Sequence, residues 1–284
     1  MGRFVLLFAA CFPLFAAAAE PELKGELNAG GEAVPLGHIL VLDFDDAEGM
    51  GDGPELRILL SDRKVDPTGL EAPILFGLDA RAREGALRGV LLRFDPKGES
   101  REVYGTVYAA MGNPQSSMPF FTLGGSAGGV DSLALAEGVL TGSVAHGAEG
   151  DPDFGIPAYS FTATFRAPVT KATPATVLQG QEGMDSAPMK AYIRFEEALA
   201  SGDLDTVRKM TTPERVQQLE AYIAEVGKEA FLEMVKQMAP DPAMRAQNLQ
   251  GVFVRGEVAT IVFKEEGGKT STTLRKKGED WTME

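Results

Sequence analysis

Cysteine, histidine and tryptophan are scarce in this chain and positive charge is in deficit, and each shortage closes a class of function. Cys11 is the only cysteine among 284 residues, so no intrachain disulfide can form and stability must come from packed cores. The only histidines are His38 and His146. Neither has a companion at metal-ligand spacing, which argues against a zinc site, and both read as ordinary residues at strand ends. The 27 Lys and Arg face 41 Asp and Glu, a formal net charge of −14. A surface this acidic repels phosphate backbones and anionic membranes, and no basic cluster offsets it, so nucleic acid is excluded as a partner. Beyond the first residues no apolar run reaches about 18, so the mature chain has no transmembrane segment.

Turn-forming chemistry is abundant instead. The 33 Gly and 17 Pro favour many turns, while a hydrophobic content of 44% supplies enough apolar surface for a core. The first 19 residues stand apart. Arg3 gives a short positive region, Phe4 to Phe15 is apolar, and Ala16 to Ala19 supplies small residues before Glu20. This pattern predicts a secretory signal over 1–19, cleaved after Ala19, and hence a periplasmic or secreted protein. A lipid anchor at Cys11, after Leu7-Phe8-Ala9-Ala10, is the alternative; it would leave an unusually apolar start to the mature chain.

Residues 20–168 read as an all-β domain, an antiparallel sandwich or barrel. Short apolar runs at Ile39 to Phe44, Leu56 to Leu60, Leu87 to Phe94 and Val103 to Tyr108 have strand length, and no helical periodicity intervenes. Tyr159, Phe161, Ala163 and Phe165 alternate with polar residues, which predicts a strand with one buried and one wet face. Two motifs there invite a chemical reading. Gly124-Gly125-Ser126-Ala127-Gly128 matches the G-x-S-x-G elbow of serine hydrolases, but that elbow needs parallel βαβ surroundings and a distant histidine. Here the only later histidine is His146, so the segment reads as a glycine-rich loop. Asp43, Asp45, Asp46 and Glu48, with Asp52 following, could chelate calcium, yet no register satisfies an EF-hand spacing. The expectation is a solvated acidic hairpin tip. No catalytic, cofactor-binding or metal-ligating residue is therefore assigned, and no cofactor is expected.

Residues 169–186 are rich in Pro, Thr, Ala and Gly and read as a protease-sensitive linker. Helices follow. Asp185 or Ser186 caps a helix carrying Tyr192, Phe195 and Leu199, Asp203 caps a short second one, and Thr212-Pro213 starts a third that continues past Gly227. Strands then run at Val252 to Val254, Val258 to Phe263 and Thr270 to Arg275, with Arg255-Gly256-Glu257 as a turn. Trp281, in the last strand, is expected to anchor the core against Phe195 and Leu199.

This order, with Tyr192-Ile193-Arg194-Phe195-Glu196-Glu197-Ala198-Leu199-Ala200-Ser201-Gly202-Asp203-Leu204 opening and Gly278-Glu279-Asp280-Trp281 closing, resembles the NTF2-like superfamily over 187–284. The resemblance implies an α+β cone, a curved antiparallel sheet wrapped on a long helix and often enclosing a pocket. Some members are isomerases, dehydratases or hydrolases, and many exported bacterial members have no known activity. The N-terminal half loosely resembles β-rich domains of uncharacterised bacterial envelope proteins. Residues 187–284 hold no histidine, Arg255 and Glu257 are the only ionisable groups between Val252 and Phe263, and Tyr192 and Tyr222 sit among apolar neighbours. Acid–base catalysis needs a positioned proton carrier. The leading expectation is a non-enzymatic envelope module that binds a protein or small-molecule ligand. The alternative is an enzyme using the cone pocket or the Ser126 loop.

Overall fold

The computed structural model describes residues 20–284 except 52, 96–102, 110–119, 125–128, 152, 154, 155 and 239–241. The signal segment with Cys11, Asp52 of the acidic loop, and Ser126 with Gly125, Ala127 and Gly128 thus lie outside the described residues. The chain is strand-rich, with a large curled sheet followed by a second sheet that carries most of the helices.

The N-terminal strands are β1 (Glu22–Ala29), β2 (Glu32–Leu36), β3 (His38–Phe44), β4 (Glu55–Ser61), β5 (Gly89–Phe94), β6 (Val103–Tyr108), β7 (Phe120–Leu123), β8 (Val130–Ala136), β9 (Val139–Ala148) and β10 (Tyr159–Lys171). They are ordered β2-β1-β10-β3-β4-β5-β6-β7, with β9 and then β8 added to the other side of β10. In β10 the alternation read from sequence is realised: Tyr159, Phe161, Ala163 and Phe165 are buried and the residues between them are exposed. Pairing is antiparallel with one departure. After running against β1 from Tyr159 to Arg166, β10 passes alongside β3, where Val169–Lys171 lie parallel to Val41–Asp43. One strand thereby serves both halves of the sheet and curls it around a core that includes Leu27, Ile58, Leu92, Val107 and Phe161.

The opposite face of β3 to β6 is buried as well. Leu42, Phe44, Leu59, Leu91 and Tyr108 are covered by a 3₁₀ turn (Pro67–Leu70) and by helix α1 (Phe76–Arg83). Burial on both faces is why β4 carries apolar residues on both of its faces, Leu56 and Ile58 to Leu60, interrupted by Arg57. Helix α1 corrects the expectation of a half without helices. Its sequence, Phe-Gly-Leu-Asp-Ala-Arg-Ala-Arg, has almost no apolar stripe. Burial of Leu78 and Ala82 against the sheet holds it instead.

The second sheet comprises β11 (Thr176–Leu178), β12 (Leu249–Arg255), β13 (Val258–Glu265), β14 (Gly268–Lys277) and β15 (Asp280–Met283), antiparallel and in that order. Between β11 and β12 come α2 (Gly180–Asp185), α3 (Ala187–Ser201), α4 (Leu204–Lys209), α5 (Pro213–Val226), α6 (Lys228–Met238) and α7 (Pro242–Asn248). The caps are those the sequence predicts. Ser186 accepts from the Met189 amide at 3.3 Å, Asp203 from Thr206 at 3.1 Å and Thr212 from Arg215 at 3.4 Å. Gly202 ends α3 with a φ of 76°, a conformation that penalises a side chain. Met189, Phe195, Val252, Ile261, Leu274 and Trp281 form one core between helices and sheet.

Of the residues read as a linker, Val169–Lys171 pair as the end of β10, Thr176–Leu178 pair with Val252–Val254, and Gly180–Asp185 form α2. Among the described residues no helix is long and apolar enough to cross a membrane.

Candidate functional site

The acidic loop after β3 corrects the expectation of a solvated tip. Glu48 is only 1% exposed, and so is Arg255, the last residue of β12, which the sequence places in a turn. The Arg255 guanidinium grips Glu48 with a fork: Nε donates to Oε1 at 2.9 Å and Nη2 to Oε2 at 3.1 Å. It also donates to Asp45, and through Nη1 to the Thr173 carbonyl at 2.6 Å. Burial pushes the Asp45 carboxyl up, but the hydrogen bond and charge of Arg255 outweigh it and hold the group below its ordinary value. Among the described residues no three His, Cys, Asp or Glu side chains gather as a metal site.

A second buried arginine organises the same junction. Arg57 on β4 lies 3.6 Å from the centre of the Phe44 ring, whose other neighbour is Arg255 at 5.1 Å. Its Nε donates to Glu55 at 2.7 Å, while Nη1 reaches the carbonyls of Leu70 and Ala72, each at 2.5 Å. Burial lowers the Arg57 pKa and Glu55 opposes that shift. Between those two carbonyls, Glu71 accepts from the amide and hydroxyl of Thr173 at 2.8 and 2.9 Å. Residues 70–72 are thus fixed from both sheets.

Of these, Ala72 lines a cleft of about 240 Å³. The apolar surface of the cleft comes from Ala72, Ile74, Leu75 and Leu78, and its charges from Asp66 and Arg81 on the N-terminal side, Arg275 on β14 and Glu284 just past β15. The two sides approach closely: a β-carbon at Gly77 would stand 3.9 Å from Glu284 Oε1. Arg275 donates through Nε to that oxygen at 2.5 Å. Asp66 uses Oδ1 to cap the 3₁₀ turn, accepting from the Thr68 amide at 2.9 Å and hydroxyl at 2.7 Å, and these bonds hold its carboxyl below the ordinary value. Among the described residues nothing pairs with the Arg81 guanidinium.

The tyrosines and histidines fall elsewhere. Tyr192 donates to Glu196, whose other oxygen takes Arg245 Nη2 at 2.5 Å, and the Tyr192 ring rests 5.6 Å from that of Phe263. Burial, then the Glu196 bond and charge, raise the Tyr192 pKa, so the hydroxyl keeps its proton. The Glu196 carboxylate is engaged on both oxygens and its charge is met by Arg245, an arrangement better suited to tying α7 to α3 than to moving protons. Among the described residues Arg245 Nε is buried without a partner. Tyr222 is exposed on α5, with its hydroxyl 3.5 Å from the Met234 sulfur. His38 begins β3, and His146 packs beside Tyr159 and Phe161, ring centres 5.8 and 6.2 Å away. Burial lowers the His146 pKa.

Sequence reasoning missed Arg57, Arg81, Arg255 and Arg275 as site residues. Only Arg57 carries a local signal, a charge inside an otherwise apolar strand. Comparison with protein-family models, curated proteins and solved structures finds no match to this chain.

Proposed function

We propose that the protein is an exported, non-enzymatic binding module of the bacterial cell envelope. In this reading the N-terminal half is an antiparallel β-sandwich or barrel, the C-terminal half is an NTF2-like cone, and a small ligand is held in the cleft between them. The observation that carries it is the cleft itself: apolar walls, a few charged groups, and a wall residue, Ala72, whose carbonyl is held by the buried Arg57. Small-molecule sites favour such junctions, and a pre-formed rim reduces the entropy lost on binding. The absence of an unengaged acid–base pair among Tyr192, Glu196 and Arg245 supports binding over catalysis.

A thermal-shift screen of the purified chain against a library of small metabolites tests this. A ligand that raises the melting temperature, and loses that effect when Ile74→Asp places a charge on the apolar wall, supports the reading. A library in which nothing shifts the melting temperature would overturn it.

A further inference from the structure

We infer that the cleft is a receptor for a small zwitterion of the α-amino-acid type, with its carboxylate on Arg81 and Arg275 and its ammonium on Asp66. This rests on the cleft being a binding site and names what it takes.

The inference follows from which charges in the cleft are already spent. Glu284 Oε1 is committed to Arg275 Nε. The terminal Nη atoms of Arg275 have no hydrogen bond among the described residues, and neither has the whole guanidinium of Arg81. Two cationic groups with open donors therefore share one cavity. Guanidinium forks suit a planar carboxylate. On the anionic side, both hydrogen bonds to Asp66 fall on Oδ1, which leaves Oδ2 as an acceptor. The unspent set is thus two cationic donors and one carboxylate oxygen in the same cavity.

Charge balance narrows the class. Among the described residues the side chains of Arg81 and Arg275 balance those of Asp66 and Glu284, whose main-chain oxygen accepts from Arg215, so the described lining has no net charge, inside a chain of net charge −14. A dianion such as a phosphate monoester would meet two carboxylates in the cleft and an unfavourable field outside it. A monocation would meet two guanidiniums. A molecule carrying one charge of each sign satisfies both groups. Size and apolarity narrow it further. At about 240 Å³ the cleft is below the roughly 300–1,000 Å³ of sites for drug-sized ligands. Ile74, Leu75 and Leu78 offer an aliphatic surface beside the charges, so a short branched side chain fits better than a polar one.

The test is calorimetric titration of the full purified chain with leucine, with 4-methylpentanoic acid, which lacks the ammonium, and with 3-methylbutylamine, which lacks the carboxylate. Leucine should bind at least tenfold more tightly than either fragment. Arg81→Ala should weaken leucine at least tenfold at an unchanged melting temperature, because Arg81 supports no other contact. Asp66→Asn keeps a side-chain oxygen for the cap; it should weaken leucine without weakening 4-methylpentanoic acid, which loses only a like charge. Equal binding of leucine and 4-methylpentanoic acid would overturn the zwitterion and reduce the site to an anion receptor. Failure of leucine, when the metabolite screen yields a cleft ligand of other chemistry, would overturn this inference alone. Failure of both would overturn the binding reading as well.

Discussion

Arg255 concentrates three roles in one side chain. It ends β12, it neutralises Glu48 where neither is hydrated, and it accounts for the carbonyl of Thr173 at the point where the chain passes from one sheet to the other. Removing one partner of such a pair leaves the other buried and uncompensated, which costs about 3–5 kcal/mol. Arg255→Ala should therefore lower the free energy of urea unfolding by that amount. Arg255→Lys should recover less than half of it, since a point charge cannot fork onto both oxygens of Glu48. A loss below about 1 kcal/mol in Arg255→Ala would show that the pair is merely tolerated. His146 supplies a residue-scale pH dependence. Its folded pKa lies below the ordinary 6.5, so between those two values the unfolded chain binds the extra proton and stability falls as pH drops. Asp45, whose folded pKa is depressed below 3.8, acts later: its contribution is complete above that value and is lost as pH falls through the folded pKa. Urea melts across pH should show a decline starting near 6.5 that His146→Gln removes, and a second below about 4 that it leaves in place.

At the scale of elements, what was legible in the sequence is what local chemistry dictates. The alternation of Tyr159 to Arg166 and the caps at Ser186, Asp203 and Thr212 each depend on neighbours a few residues away, and each is realised. Helix α1 and strand β11 were not legible, because a stripe of Leu78 and Ala82 or a three-residue pairing has meaning only against a surface built by distant chain. The same holds for the candidate site. Glu48 and Arg255 are 207 residues apart, and Arg81 and Arg275 nearly as far, so Arg-Gly-Glu reads as a turn and the acidic run as solvated. Trp281 shows where local reasoning succeeds. Placed on β15 by pattern alone, it is 8% exposed in one core with Phe195, and Leu199 packs at that core's edge. Trp281→Ala should cost about 3–5 kcal/mol. Calorimetry should record it as a lower melting temperature, and an unchanged value would remove Trp281 from the packing account.

The two sheets behave as one molecule or two according to the ten residues that join them. Val169–Lys171 are hydrogen-bonded beside β3, the Ala172 amide donates to the Asp43 carbonyl at 2.9 Å, Thr173 is held by Glu71 and Arg255, and Thr176–Leu178 pair with β12. Every one of these bonds must break before a protease can draw the segment into its active site, and proteolysis follows the population of opened chain. Lys171 should therefore resist trypsin while the exposed Arg63 and Lys64, in a bend without strand pairing, are cut first. The same pinning predicts cooperativity: with Arg255 in place, scanning calorimetry should show a single transition. Arg255→Ala removes the fork to Glu48, the contact to Asp45 and the hold on Thr173 at once, leaving few ionic ties across the junction. In that variant the endotherm should split in two and cleavage at Lys171 should accelerate together with it. Two transitions in the unaltered chain, or rapid cutting at Lys171 before Arg63 and Lys64, would mean that the halves move independently. The cleft between them would then have no fixed walls, so this measurement bears on the binding site as directly as any ligand titration.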